Sequence, residues 1–205
     1  VTGVQTCALP IYDRVNARLM RYRSDASPDA AALREIVACA KLGGTRVRLS
    51  CVLVARAVDD LDDVVRYLDF AASVGVDNVI FRQLMRHDPA VTRANFVTRF
   101  SERRGVVMTP LLTALQQRSD FSFVRQVMGY YYYVEVWRYG EPGCAGGIDV
   151  VFEGADLARL ERSKADMPGV IQELIFHPNA RLASTWQPWD GVLGPPGQSG
   201  LPMTL

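Results

Sequence analysis

The sequence predicts an α/β chain, with parallel strands in its first half and mainly antiparallel strands in its second. Three observations carry this. An amphipathic helix, a β-branched apolar run, a second amphipathic helix and a second apolar run follow one another between residues 26 and 84. That alternation is the rhythm of an α/β barrel or a doubly wound sheet. The first apolar run, VRLSCVLV at 47–54, is nearly continuous, which suits a parallel strand covered on both faces. After residue 88 the helical period gives way to aromatic and β-branched stretches separated by turn residues, the pattern of antiparallel strands.

Each element has its own signal. Ser27-Pro28-Asp29 starts the first helix with a capping hydroxyl, a proline in the first turn and an acid at the positive end. Leu33, Ile36, Val37 and Ala40 form its apolar stripe, and Gly43-Gly44 close it in the left-handed conformation. Asp59 and Asp60 cap the second helix, which carries Leu61, Val64, Val65, Leu68 and Ala71 on one face and ends at Gly75. The strand NVIFRQL at 78–84 follows, completing a βαβ unit whose crossover is right-handed by the general rule. A helix over 106–117 must hold Pro110 in its first turn. Residues 121–139 read as strand on either side of Gly129, 148–152 as a short strand and 156–162 as a short helix. Two strands at 170–177 and 182–186 flank Pro178-Asn179-Ala180 as a hairpin. The segment from 12 to 26 reads as a loop or short helix, and the Pro/Gly/Ser-rich tail over 191–205 as disordered.

Composition narrows the function classes. Apolar residues make up 49% and charged residues 22%, ordinary values for a globular domain. A net charge of +1 provides no basic field for nucleic acid, so no nucleic-acid partner is predicted. No apolar run reaches the roughly 20 residues of a membrane helix, so no membrane partner is predicted either. Cys7, Cys39, Cys51 and Cys144 are far apart, which excludes a metal site built on neighbouring thiols. Cys39 and Cys51 lie in apolar runs and read as small buried hydrophobes. Scattered cysteines and no signal peptide point to a cytoplasmic setting.

Conventional catalytic sets are scarce. His87 and His177 are the only histidines, and both read as surface or capping residues. Gly143-Cys144-Ala145-Gly146-Gly147 lacks the strand-to-helix context of a phosphate loop. Tyr130–Tyr133 offer stacking surfaces, although on a strand alternate ones fill a core. The informative polar residues lie inside strands: Arg48 and Ser50 in the first, Arg82 and Gln83 in the second. A buried arginine is costly unless paired, so Arg82 in an apolar strand requires a carboxylate, a phosphate or a sulfonium-bearing amino acid beside it, with a salt bridge at a barrel rim as the structural alternative. No catalytic residue and no metal ligand is assigned from the residues alone.

The segment RVRLSCVLVARAVDDLDDVVRYLDFAASVGVDNVIFRQLM resembles strands five and six of radical SAM enzymes similar to the molybdenum-cofactor biosynthesis protein A group. The strand, the Asp59-Asp60 turn, the amphipathic helix, Gly75 and the second strand match that pattern in order, over less than half of the chain. The resemblance implies the carboxy-terminal part of a partial (β/α)6 barrel over 12–88. An α+β, mainly antiparallel extension would follow over 89–190. It implies S-adenosylmethionine and a [4Fe–4S] cluster as cofactors of the full-length protein, an electron donor such as flavodoxin or ferredoxin, and an unknown substrate. Ser50 and Arg82 match positions near the cofactor. The CxxxCxxC motif of the family is absent. Residues 1–11, VTGVQTCALPI, resemble a translated sequencing adapter, which places that motif upstream of Tyr12 in an interrupted reading frame. This chain would then be an inactive fragment with no cofactor bound. In the extension, Glu135, Arg138, Glu153, Glu173 and Trp186 are candidate substrate contacts, with core or surface roles as the alternative. Two rivals stand: a cluster-free barrel lyase or isomerase, for which no acid–base pair is evident, and a non-catalytic binding module that uses the aromatic β part.

Overall fold

The computed structural model describes residues 5–6, 30–87, 94–129, 131–140, 147–185, 189 and 191–193. The expectations for 12–26, Ser27-Pro28-Asp29, Tyr130, the loop around Cys144, Trp186 and the tail from 194 onward lie outside the described residues, as do Cys7 and most of 1–11. The chain divides into two units after Ala158.

In the first unit, helix α1 (Ala30–Leu42) buries Leu33 and Val37. Gly44 ends it at φ +69, with its amide on the Lys41 carbonyl and that of Thr45 on Ala40. Helix α2 (Leu61–Ser73) ends in the same way at Gly75, φ +81. Both carry the paired hydrogen bonds of a Schellman motif, and any residue with a Cβ would be strained at that φ. Asp60 caps α2 by accepting from the Asp63 amide at 2.8 Å. Pro110 takes the third position of helix α4 (Met108–Leu115), within the first turn as expected. A helix not anticipated from the sequence, α3 (Phe96–Arg104), starts at a capping box in which Asn95 and Thr98 satisfy each other's amides. Its signal, Asn95-Phe96-Val97-Thr98, lacks the usual Glu or Gln at the fourth position.

The sheet has the order β1-β2-β3-β6-β5-β4. Its strands are β1 (Gln5–Thr6), β2 (Arg48–Leu53), β3 (Asn78–Gln83), β4 (Phe121–Met128), β5 (Tyr132–Tyr139) and β6 (Ile148–Ala155). The strands from β1 to β3 are parallel, and β5 pairs antiparallel with β4 on one side and with β6 on the other. β6 also pairs in parallel with β3, from Asn78 opposite Asp149 to Arg82 opposite Glu153. The antiparallel strands therefore extend the sheet that the βαβ unit begins. The fold is mixed α/β, with one mixed sheet.

The pairing register sorts the side chains into two faces. Leu49, Cys51 and Leu53 share one face with Val79, Phe81, Val150, Phe152 and Trp137. On this face pack α1, α2 and α4, through Val37, Tyr67, Leu68, Leu111 and Leu115. Phe81 sits at the centre, edge-on to Tyr67 at 5.4 Å and stacked on Phe152 at 5.3 Å. Cys51 is buried here as expected, but Cys39 is exposed. It lies two residues beyond Val37 and so points to the opposite side of α1 from the core stripe.

In the second unit, β7 (Ile175–Phe176) and β8 (Leu182–Ala183) form the expected hairpin, shorter than its sequence pattern. Its turn puts Ala180 at φ 61 and donates the Ala180 amide to the His177 carbonyl. His177 is a buried turn residue rather than a surface one, with Nε2 3.0 Å from the Thr185 carbonyl oxygen. Helix α5 (Leu157–Asp166) begins before the division and carries Ser163 and Lys164, which bond Gln172 and Glu173.

Candidate functional site

The carboxy-terminal ends of parallel strands are where open α/β sheets and barrels place ligands, because strand ends and loops converge there. Here the end of β3 meets that of β6. Ser50 and Arg82, the two residues matched to a cofactor, lie on the sheet face opposite the helix-packed core, since Ser50 pairs with Ile80 and Val52 with Arg82. Ser50 is 2% exposed. Arg82 donates from Nε to Glu153 Oε2 at 3.3 Å across the β3–β6 pair, and both side chains are about 40% exposed. The carboxylate that a half-buried arginine requires is therefore Glu153, one strand away. At such exposure the pair adds under about 1 kcal/mol, leaving both charges free to engage a ligand.

On the core face, opposite Phe152 in mid-sheet, lies a buried carboxylate. Glu135, 6% exposed, accepts from Trp137 Nε1 at 2.7 Å and from the Tyr133 hydroxyl. All three sit on alternate residues of β5 and so point the same way. Glu135 is thus part of the core. Arg138 pairs with Asp149 at 2.5 Å, near the amino-terminal ends of the parallel strands, and Glu173 pairs with Lys164 at 2.5 Å. Of the aromatic run, Tyr133 packs against the core while Tyr132 is exposed, the expected alternation.

Two tyrosines are perturbed. Burial, then the hydrogen bond to Glu135, pushes the Tyr133 phenol up to about 12. Burial and the 2.7 Å bond from its hydroxyl to Asp69 raise that of Tyr139 as well. Nearby, a two-pronged hydrogen bond from Arg118 holds the Asp120 carboxyl below its ordinary range. A phenol harder to ionise in the folded than in the unfolded chain stabilises the fold fully below about pH 10. That contribution is lost as pH rises through about 12 for Tyr133. A titration of tyrosinate absorbance is therefore expected to lag in the folded chain and coincide with free tyrosine once unfolded. Coincidence in both states would contradict the packing of β5.

Beyond Arg82 the strand end borders a cavity of about 410 Å³, lined by Gln83, Arg86, His87, Thr98, Ser101 and Glu102 among others. Sequence reading set His87 aside as a surface or capping residue. In the fold its Nδ1 is buried and has no hydrogen-bond partner among the described residues. Only the return of α3 beside the strand end creates this setting, and no local signal announces it. Among the described residues, the one group of acids and thiols close enough to hold a metal is Asp59, Asp60 and Asp63. These carboxylates are already occupied by the Arg56, Asp59 and Asp63 amides and by Arg66. No helix among the described residues is long and apolar enough to cross a membrane.

No family model, no curated protein and no solved structure matches the chain.

Proposed function

We propose that the chain is the carboxy-terminal part of a radical SAM enzyme. In its full-length form that enzyme would cleave S-adenosylmethionine reductively at a [4Fe–4S] cluster and start radical chemistry on a substrate. One observation carries the reading. Helices α1, α2 and α4 pack on one face of β2, β3 and β6, while the other face bears Ser50, Arg82 and Glu153. A barrel wall carries helices on its outer side, whereas a doubly wound sheet carries helices on both sides, and the one-sided helix packing supports the first reading. The amino-acid end of S-adenosylmethionine bears a carboxylate and an ammonium group. Arg82 complements the first and Glu153 the second. The described residues do not fit the cluster. Cys39 is exposed on α1 and Cys51 is buried in β2, with no third thiol beside them among the described residues. Cys39 and Cys51 therefore carry no step of the chemistry.

The test is to translate the genomic DNA upstream of the Tyr12 codon and express the extended enzyme. A CxxxCxxC loop preceded and followed by barrel strands is expected, together with calorimetric binding of S-adenosylmethionine. Arg82→Ala should weaken that binding at least about tenfold, the value of one charge-assisted hydrogen bond. A start codon near Tyr12, no cysteine triplet, or unchanged affinity in the variant would overturn the proposal.

One observation favours a second reading, a binding module that uses the aromatic β part. Strand β4 lies at the sheet edge and leaves Phe123 and Met128 exposed, at 53% and 71%. An apolar edge strand is a template for pairing with another chain.

A further inference from the structure

Strand β4 ends the sheet, with β5 on one side and no strand among the described residues on the other. Only Phe121 of its sequence FSFVRQVM is buried. Edge strands are ordinarily protected by proline, lysine or inward charge, whereas this one has no proline and Arg125 as its single charge. The hairpin fixes which backbone groups face outward. At one end the Gly129 amide donates to the Tyr132 carbonyl, and at the other the Gly140 amide donates to the Asp120 carbonyl. Alternation along the antiparallel pair then turns the amides and carbonyls of Ser122, Arg125 and Val127 towards β5. Those of Phe121, Phe123, Gln126 and Met128 point away from the sheet. The side chains of these four residues share the helix-packed face, because the register with β5 shifts by one residue between Phe123 and Arg125.

That shift decides what the edge can receive. Facing residues in an antiparallel pair lie on the same face. A strand without a bulge therefore meets its own copy about a residue that faces itself. Here the extra residue, Val124, moves the two-fold axis to the peptide between Val124 and Arg125. Phe121 then faces Met128 of the copy, and Phe123 faces Gln126. Each is an outward-pointing residue meeting another on the same face, so their amides and carbonyls exchange hydrogen bonds. Arg125 faces Val124 of the copy rather than its own charge.

We infer that β4 is the seam of a symmetric dimer, in which two copies of this chain pair their β4 strands antiparallel and join their sheets. The pairing consumes both edges, so assembly closes at two copies. This inference rests on the second reading and names the strand that the edge receives. It is independent of S-adenosylmethionine binding at Arg82.

The test is sedimentation of the full 205-residue chain over a range of micromolar concentrations, with amide exchange followed residue by residue by NMR. A reversible monomer–dimer equilibrium is expected. The amides of Phe123, Gln126 and Met128 should exchange at least about tenfold more slowly in the dimer, while those of Ser122 and Val127, already bonded to β5, change little. Gln126→Pro removes an outward amide and leaves the β5 ladder intact. Met128→Lys, at an exposed position, places a charge opposite Phe121 of the copy and should leave the Tm of the monomer unchanged. Each variant should weaken the dimer about tenfold or more. A monomer at every concentration, species larger than a dimer, or a dimer equally tight in both variants would overturn the proposal. The second reading is separated from it by adding a soluble peptide of alternating threonine and valine to a monomeric chain. Slower exchange of the same three amides would keep that reading without the dimer, and unchanged exchange would end both.

Discussion

Phe81→Ala is expected to destabilise the first unit by about 3–5 kcal/mol, the range for truncating a fully buried phenylalanine. Phe81 is 0% exposed and stands between the Tyr67 ring of α2 and the Phe152 ring of β6. Its removal takes contacts from the βαβ unit and from the strand that joins the antiparallel part to it. The transfer cost of the ring adds to the cost of a cavity that a sheet and two packed rings cannot close. Against a total stability of about 5–15 kcal/mol, such a loss moves the urea midpoint far enough to leave the chain marginal. Phe152→Ala should act on the same space. The double variant should therefore lose less than the sum of the two, since the second truncation enlarges an existing cavity. Additive losses, or a single loss under about 1 kcal/mol, would show that β6 does not pack on β3 as described.

Glu135→Leu is the second large effect, at about 2–6 kcal/mol. The substitution leaves the Trp137 indole N–H and the Tyr133 hydroxyl without their acceptor, each at about 1–3 kcal/mol. Glu135→Gln keeps one acceptor oxygen and turns an N–H2 towards the other donor, so about half of that loss is expected. The compensated variant, Glu135→Leu with Tyr133→Phe and Trp137→Phe, removes the donors along with the acceptor. It should recover much of the stability, because a buried network deleted as a whole leaves no orphan. Urea unfolding followed by circular dichroism separates these cases. If Glu135→Leu matches the parent, the carboxylate is not the acceptor that organises β5.

Much of the first unit was legible in the sequence because its signals are local. The Asp59-Asp60 start, the apolar stripe of α2 and the Gly75 stop each act within one or two turns. Gly129 likewise marked the β4–β5 hairpin, where an added Cβ would meet the Tyr132 ring at 2.1 Å. Helix α3 escaped because its stripe is weak: Phe96 and Val97 are exposed and Thr98 is its one buried residue. For the site, Arg82 could be singled out as a charge inside an apolar strand, but its partner could not. Glu153 lies 71 residues away and reaches it only through the β3–β6 register.

By itself the sequence determined the βαβ unit, its caps, the hairpins and the alternation along β5, since each depends on residues a few positions apart. The tertiary structure alone decided that β6 inserts beside β3, that Glu135 belongs to the core, and that His87 lines a cavity. These depend on which strands pair and which helix returns over a strand end. Such pairings are set by the total burial of surfaces distant in sequence, and no single residue carries their signal.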